Sequence, residues 1–253
     1  MPSRLGRSKF THVENATDYM ALAIDIIDGE GEGLDTLDIP AGNGHVVGEL
    51  LKRGHRAVGG DINDAQEHFV RADIESRLPF DDASFDAISC LEGIEHVLDE
   101  VELLREFLRI LRPGGILVIS TPNVMNMYSR LHYFLRGYPY QFPPGACRLL
   151  TGTEVIDRGH VNPLSYIRLR YLLESLGADI VGVAGDRSKK KILFPVLMPI
   201  AWLGRLLSRQ DLDAAPTEQA RMHSIRQDLG SRAIMRARSL VLTARKSDSS
   251  GRQ

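Results

Sequence analysis

Two acidic residues and a histidine stand close together in the segment Cys90-Leu-Glu-Gly-Ile-Glu-His-Val97. Glu92 and Glu95 are three residues apart, and Glu92 and His96 are four apart, so a helical backbone would place all three side chains on one face. Two carboxylates and an imidazole can bind a divalent cation. They can also supply a general base that removes a proton from a hydroxyl. A helix N-terminal turn, whose acidic residues are favoured by the helix dipole, is the structural alternative.

A second candidate site is the turn inside Leu34-Asp-Thr-Leu-Asp-Ile-Pro-Ala-Gly-Asn-Gly-His45. A strand pattern stops there at a glycine-bearing turn, and a helix pattern begins after it. Such a turn lets backbone N–H groups approach a ligand at a helix N-terminus. The dinucleotide fingerprint G-x-G-x-x-G fits poorly, because Val47 stands where the third glycine would follow Gly42 and Gly44. The turn alone leaves S-adenosylmethionine (SAM), a nucleotide and a simple tight turn open.

Strand and helix patterns alternate along the chain and determine where these residues lie. Strands are predicted at 34–39, 56–60, 69–72, 85–90, 116–120, 178–184 and 239–244. Helices are predicted at 17–28, 44–53, 64–68, 99–111 and 165–176. The alternation predicts an α/β fold with a doubly wound, mostly parallel seven-stranded sheet. Ligands of such sheets bind beyond the carboxyl ends of the strands.

Two aspartates follow neighbouring strands at this ligand-binding edge. Asp61 ends the second strand, where a carboxylate can accept hydrogen bonds from both hydroxyls of a ribose. Its structural alternative is an N-cap for helix 64–68. Asp73 follows the third strand, and its structural alternative is a turn carboxylate.

The order of these features resembles a class I SAM-dependent methyltransferase, over roughly residues 34–185 and the last strand. The first motif of that class is usually D-x-G-x-G-x-G, and here it reads Asp38-Ile-Pro-Ala-Gly-Asn-Gly44, with Pro40 at the first glycine. Because proline has no N–H, the loop must hold the methionine part of SAM through other amides. The resemblance implies that Asp61 binds the ribose, that Asp73 faces the adenine amino group, and that Ile62 and Ile74 flank the adenine. The implied cofactor-binding residues are Asp38, Pro40, Ala41, Gly42, Gly44, Asp61, Ile62, Asp73, Ile74 and Leu91.

The segment after the fourth strand is similar to that of ubiquinone-biosynthesis O-methyltransferases. Its E-x-x-E-H pattern is also similar to that of small-RNA 2′-O-methyltransferases, where the pattern binds a metal together with another histidine downstream. His160 is the candidate for that histidine. The resemblance implies that His96, Glu95 and His160 are catalytic, and that a divalent metal such as Mg²⁺ would be held by Glu92, Glu95, His96 and His160. Structural histidines are the alternative.

Two further residues are candidates for contact with the acceptor substrate. Asn123 ends the fifth strand and carries a donor and an acceptor that can orient a hydroxyl, although a turn residue fits equally well. Tyr133 belongs to the stretch 130–140, whose cations and aromatic rings suit a ring-bearing or anionic acceptor.

Length and composition predict one large domain with an insertion. The chain has 253 residues, of which 43% are hydrophobic and 25% charged, as in an ordinary soluble globule. Four parts are predicted: a helical lead-in at 1–33, the methyltransferase core at 34–185 with an acceptor-site segment at 123–162, an insertion at 186–231, and the last strand with a polar tail at 232–253.

The insertion carries a basic and apolar segment at 187–209. It has six basic residues and no acidic one, together with Trp202 and an apolar run that Pro195 and Pro199 interrupt. This composition suits a membrane interface, with a lid or a dimer contact as alternatives. Cys90 and Cys147 form no C-x-x-C pair and imply no disulfide framework. With no signal-peptide pattern, the sequence predicts a cytoplasmic protein that contacts the inner membrane surface through this segment.

These features predict an enzyme that transfers methyl from SAM to a hydroxyl of a small, glycan, lipid-linked or quinone-like acceptor. The sulfonium methyl is already activated, so the protein mainly needs to align the reactants and remove the acceptor proton. A catalytically inactive SAM-binding partner protein and an RNA-modifying methyltransferase are the alternatives. A net charge of −2 disfavours a nucleic-acid partner.

Overall fold

The computed structural model describes residues 16–62, 66–146, 159–188 and 216–248, together with positions 195, 199 and 203. In these ranges seven strands form a sheet in the order β3-β2-β1-β4-β5-β7-β6. Strands β1 to β5 pair in parallel, and β7 is antiparallel to both β5 and β6. The strands are β1 (Asp35–Asp38), β2 (Arg56–Asp61), β3 (Phe69–Arg71), β4 (Phe85–Leu91), β5 (Leu111–Pro122), β6 (Ala178–Gly185) and β7 (Ser239–Lys246).

Seven α-helices accompany the sheet in the described ranges. They are α1 (Asp18–Asp28), α2 (His45–Lys52), α3 (Glu100–Ile110), α4 (Met127–Arg136), α5 (Tyr166–Ser175), α6 (Pro216–Leu229) and α7 (Arg232–Arg236). Polar side chains define where several of them begin, because each accepts a backbone N–H of the first turn. These N-caps are Asp99, Asn126, Ser165 and Ser231.

Both faces of the sheet are buried, as expected for central parallel strands. Along β5, Leu117 and Ile119 point into one core, whereas Ile116 and Val118 point into the other. Helices α3 and α5 cover the first face, and α1 and α2 cover the second. The predicted doubly wound, mostly parallel seven-stranded fold is confirmed.

The C-terminal part of the predicted insertion belongs to the main core. Ile225 of α6 and Ile234 of α7 join the same apolar cluster as α5. Asp228 of α6 accepts hydrogen bonds from Tyr166 Oη at 2.5 Å and from Arg170 Nη1 at 3.0 Å, both on α5. Helix α6 is mostly polar, so its docking depends on this buried polar contact as well as on a narrow apolar stripe.

Two other local predictions change in the structure. Helix α4 lies inside the stretch 123–162, which shows no clear periodicity in the sequence. The predicted helix 64–68 lies partly outside the described residues, and positions 66–68 form a turn, closed by the hydrogen bond from the N–H of Phe69 to the carbonyl oxygen of Gln66 at 3.3 Å. No helix within the described residues has the length and apolar character needed to cross a bilayer.

Candidate active site

The loop between β1 and α2 is shaped by two glycines. Gly42 and Gly44 have φ angles of 55° and 75°, a left-handed conformation that glycine adopts without steric cost. A Cβ on Gly44 would also lie 2.9 Å from the Gln66 side chain and 3.3 Å from the Phe69 ring. Glycine at position 44 therefore lets the chain enter α2 while it passes close to the side chains of Gln66 and Phe69.

Asp61, the last residue of β2, is tied to this loop. Its Oδ2 accepts the N–H of Gly42 at 2.8 Å, and the residue is only 4% exposed. The N–H of Ala41 donates to the carbonyl oxygen of Gly60 at 2.9 Å. The amides of residues 41 and 42 therefore hold the loop against β2, and Pro40 has no N–H, so the predicted contacts with the methionine part of SAM would come from other groups.

Asp38 lies beneath the loop at the end of β1. Its Oδ1 accepts the hydroxyl of Ser89 on β4 at 2.6 Å, and the residue is 3% exposed. Burial raises the pKa of Asp38 to about 7, and the nearby charge of Asp61 adds to the shift. Asp38 therefore connects two central strands below the predicted cofactor site, and its contact with SAM stays a prediction.

The other predicted cofactor residues lie along the same edge of the sheet. Asp73 follows β3, and its Oδ1 accepts the N–H of Glu75 at 2.9 Å, which is the predicted turn arrangement. Ile62 and Ile74 are half-buried, and Leu91 is a buried residue at the end of β4. Four neighbouring strands thus bring the predicted set to their carboxyl ends, where ligands of parallel sheets bind.

The acidic segment after β4 forms a single 3₁₀ turn at Ile94–His96 rather than an α-helix. Glu92 has a φ of 51°, a left-handed conformation that ends the strand before the turn begins. Its carboxylate accepts the hydroxyl of Ser120 on β5 at 3.3 Å. The helical backbone that would place Glu92, Glu95 and His96 on one face is therefore absent here, because residue 92 has a left-handed conformation and lies outside the 3₁₀ turn.

Glu95, His96 and His160 form a compact group, called the Glu–His–His cluster below. One ligand atom from each lies within 4.8 Å of the other two, and Glu92 does not belong to this group. The two imidazole rings pack edge to face at 5.0 Å. The carbonyl oxygen of Glu95 accepts the N–H groups of Val161 and Asn162, both at 3.0 Å. Main-chain hydrogen bonds thus bring His160 to a turn that lies 64 residues earlier in the chain.

The tautomer of His160 follows from its neighbour. Nδ1 lies 2.8 Å from the carbonyl oxygen of Gln141. A carbonyl oxygen only accepts hydrogen bonds, so Nδ1 must carry the proton. In the neutral ring Nε2 is then the nitrogen that can take up a proton or bind a metal. Glu95 is fully buried in the same group.

A second buried polar group surrounds Glu92. Burial raises the pKa of Glu92 to about 7, and Arg238 and Ser120 oppose part of the shift. Arg238 Nε also donates to Gln141 Oε1 at 2.9 Å. Tyr19 of α1 lies within electrostatic reach of Glu92, Arg238 and Glu95. Sequence reasoning did not identify Tyr19, Gln141 and Arg238, because none belongs to a motif and the three are far apart in the chain.

Asn123 has a structural position. Its Nδ2 donates to the carbonyl oxygens of Ala233, Ile234 and Ala237 at 3.0 to 3.1 Å, and its Oδ1 accepts the N–H of Met125 at 3.0 Å. With its amide occupied and only 3% exposed, Asn123 holds α7 against the end of β5. The predicted role in orienting a substrate hydroxyl does not fit this geometry.

Tyr133 lies on the outer side of α4, where it is 57% exposed. Its neighbour Tyr140 instead packs edge to face against both Tyr128 and His132. Exposure of this kind suits a surface contact better than the lining of a closed acceptor site, and the substrate role of Tyr133 stays a prediction.

Known proteins with sequences similar to this chain are described as methyltransferases. A family model described as "Methyltransferase domain" matches residues 37–119. A probable S-adenosylmethionine-dependent methyltransferase from Mycolicibacterium smegmatis is 35% identical over 162 residues, which cover 60% of this chain and 55% of the relative. The ubiquinone/menaquinone biosynthesis C-methyltransferase UbiE from Idiomarina loihiensis is 34% identical over 36% of this chain and 43% of its own length. A ubiquinone biosynthesis O-methyltransferase from Alkalilimnicola ehrlichii is 29% identical over 42% of this chain and 47% of its own length. The chain thus spans about half the length of the curated relatives it matches.

Comparison with solved structures identifies a similar fold. The crystal structure of a SAM-dependent methyltransferase from Archaeoglobus fulgidus aligns with a TM-score of 0.54 over 90% of this chain and 94% of that chain, at 18% identity. The matched sequence region contains the glycine loop, Asp61 and the Glu95–His96 turn. Residues 37–119 therefore match the methyltransferase-domain family, and the chain shares the Rossmann-like fold of the Archaeoglobus fulgidus SAM-dependent methyltransferase.

Proposed function

We propose that this chain transfers the methyl group of SAM to a hydroxyl oxygen of its acceptor, and that the Glu–His–His cluster takes up the acceptor's proton. The observation that supports the proposal is the position of the cluster directly after β4, at the strand ends that carry the predicted cofactor residues. The hydrogen bond from His160 Nδ1 to Gln141 makes Nε2 the basic nitrogen of that ring.

The proposed reaction has one bond-forming and one bond-breaking event at the methyl carbon. The acceptor oxygen attacks the methyl carbon while the bond from that carbon to the sulfonium sulfur breaks, which leaves neutral S-adenosylhomocysteine (SAH). The hydroxyl proton passes to an imidazole of His96 or His160. Buried Glu95 stabilises the resulting imidazolium. The protein contributes alignment and proton transfer, because the electrophile is already activated.

The acceptor that we propose is a small, glycan, lipid-linked or quinone-like molecule with a free hydroxyl. One relative is named as an O-methyltransferase and another as a C-methyltransferase, and both are named for quinone biosynthesis. Methylation at oxygen and at carbon both release a proton, so the cluster supports proton removal in either case. The choice of oxygen rests on the likeness of the segment after β4 to O-methyltransferases.

A divalent metal in the Glu–His–His cluster is a second candidate for the acceptor side. Two imidazoles and one carboxylate are donors that suit zinc, manganese or iron better than magnesium, which prefers oxygen ligands. A bound metal would act as a Lewis acid and make the acceptor hydroxyl easier to deprotonate. Elemental analysis of the purified protein, with His96→Ala as the control, tests this candidate. Stoichiometric zinc or manganese that disappears in the variant supports the metal, and metal-free protein with full activity contradicts it.

We further propose that the protein works in the cytoplasm at the inner membrane surface. Most of the segment 187–209 lies outside the described residues, but Pro195, Pro199 and Leu203 are exposed. Helix α4 adds three consecutive exposed apolar residues, Tyr133, Phe134 and Leu135, with exposed arginines at positions 130 and 136. Cations beside exposed apolar side chains suit an anionic lipid surface.

One experiment tests the central proposal. The purified chain is incubated with SAM that carries a radiolabelled methyl group and with lipid and aqueous extracts, and the labelled product is isolated. Treatment with boron tribromide, which cleaves aryl and alkyl methyl ethers, should release the label. Label that survives the treatment would show methylation at carbon, and the absence of any labelled product in wild type that binds SAM would favour the catalytically inactive alternative.

A further inference from the structure

Gln141 combines an uncommon backbone conformation with an unsatisfied side chain. Its φ of 79° lies in the left-handed region, and non-glycine residues held there cluster at functional sites. Its Nε2 is buried and has no hydrogen-bond partner among the residues that the structure describes. Buried amide donors without a partner are rare in folded proteins. This donor therefore has capacity for a hydrogen bond that the described residues do not use.

Two neighbours fix the direction in which the amide faces. Arg238 Nε donates to Gln141 Oε1 at 2.9 Å. Arginine only donates hydrogen bonds, so a flipped Gln141 amide would place two N–H groups opposite each other. Oε1 of Gln141 must therefore face Arg238, and Nε2 must point away from it. The main-chain carbonyl of the same residue accepts the Nδ1 proton of His160. The unsatisfied donor thus belongs to the residue that sets the tautomer of the proposed base.

We infer that Gln141 is a specificity-determining residue, whose Nε2 donates a hydrogen bond to an oxygen of the acceptor beside the hydroxyl that is methylated. The inference rests on the proposed function and adds a requirement on the acceptor, which must carry a second oxygen next to the reacting one. A site built to pair a buried donor discriminates strongly against an analogue that lacks the matching oxygen, because the donor is then left unpaired.

The acceptor chemistry is therefore a pair of neighbouring oxygens, which an aromatic diol and a vicinal diol of a glycan both supply. The ring of Phe142 lies 5.3 Å from that of His160 and provides an apolar wall on which either a flat ring or the apolar face of a sugar can pack. Because geometry alone favours neither source, both are included as probes.

The test measures probe binding to the full chain saturated with SAH, so it does not depend on methyl transfer. Catechol is compared with phenol, and cis-cyclohexane-1,2-diol, which carries the vicinal diol of a sugar ring, is compared with cyclohexanol, so each pair differs by one oxygen and only one member of each pair has neighbouring oxygens. The wild type should bind the diol of one pair at least about tenfold more tightly than its partner.

Gln141→Glu keeps an oxygen for Arg238 but removes the N–H donor, and it should reduce this preference to less than about threefold. Gln141→Met, which has a similar length and no amide, should behave in the same way. Gln227→Glu makes the same charge change on an exposed part of α6 and should keep the preference.

Two results would overturn the inference. In one, the wild type binds neither diol more tightly than its partner. In the other, both Gln141 variants bind SAH normally and keep the preference for the diol. A preference that depends on Gln141 in protein that transfers no methyl group would instead contradict the proposed function and support the role of Gln141, so the two failures are distinguishable.

Discussion

The N–H of Gly42 donates to the carboxylate of Asp61 at 2.8 Å and joins the cofactor loop to the end of the neighbouring strand. The same carboxylate is the predicted ligand of the SAM ribose. Asp61 therefore both organises the loop and offers an oxygen at the ligand-binding edge, so a change at this position affects the loop and the ligand together.

Asp61→Ala should weaken SAM binding by at least about tenfold, which corresponds to about 1.4 kcal/mol. The loss of polar contacts to a buried ribose and of the loop contact accounts for an effect of this size. Isothermal titration calorimetry with SAM and SAH measures it. Glu75→Ala, an exposed change near the same edge, is the control. Unchanged affinity in Asp61→Ala would remove this residue from the cofactor site.

His96→Ala should lower kcat by at least about a hundredfold while SAM affinity changes little, because general-base catalysis contributes effects of this order. The acceptor isolated with radiolabelled SAM serves as substrate. His223→Ala, on the exposed side of α6, should leave both quantities unchanged. Near-normal turnover in His96→Ala would make this histidine structural.

The pKa of Asp38, which burial raises to about 7, predicts how stability depends on pH. At pH values below this pKa and above the ordinary value of 3.8, the folded protein holds a proton that the unfolded chain has released. The free energy of unfolding must then fall as the pH rises through this window. Asp38→Asn keeps an oxygen for Ser89 but does not titrate, so its stability relative to wild type should increase with pH by about 1 to 3 kcal/mol between pH 5 and pH 8. Urea unfolding at both values measures the difference, and a difference independent of pH would contradict the assignment.

Asp228→Ala should destabilise the fold by about 2 kcal/mol, because it removes the carboxylate that pairs with the nearly buried Arg170 and accepts the Tyr166 hydroxyl. The estimate is below the value for a fully buried ion pair, since the Asp228 side chain is 25% exposed. Glu218→Ala removes an exposed ion pair with Arg221 on the same helix and should cost less than about 0.5 kcal/mol. Equal unfolding midpoints in urea for the two variants would show that the contact of Asp228 with α5 contributes no more to stability than an exposed ion pair.

Flotation with anionic vesicles tests the proposed membrane contact. Wild-type protein should move into the lipid fraction at low salt and partly leave it at high salt, because salt screens the attraction of cations but not apolar burial. Phe134→Ser removes an apolar side chain that is 83% exposed and should reduce binding. Ser208→Ala, a small change in the segment 187–209, is the control. Protein that stays out of the lipid fraction at low salt would contradict the membrane proposal.

The sequence is sufficient to predict the sheet and the cofactor edge, because both depend on local patterns. Apolar periodicity identifies the strands, and glycines at positions 42 and 44 mark a tight turn before a helix. Asp61 follows from its place at a strand end. These features need no knowledge of contacts between distant parts of the chain.

The acceptor side depends on contacts that local patterns do not contain. His160 is a candidate from its residue type, but its tautomer depends on the carbonyl of residue 141, which carries no motif. The helical interpretation of Glu92 fails because one left-handed residue turns it toward β5. Helix α6 is difficult to assign to the core because its docking uses ionic and hydroxyl groups that look like an ordinary solvated surface.

The two hydrogen bonds that Gln141 accepts involve different kinds of atom. Its contact with His160 uses a main-chain carbonyl, which every amino acid would supply at that position, whereas its contact with Arg238 and its buried donor use the side chain. Replacement of the side chain can therefore alter which acceptor is selected while the backbone still assigns the proton of the base. Substitutions at position 141 can therefore change substrate choice during evolution and still keep the main-chain contact that sets the tautomer of His160.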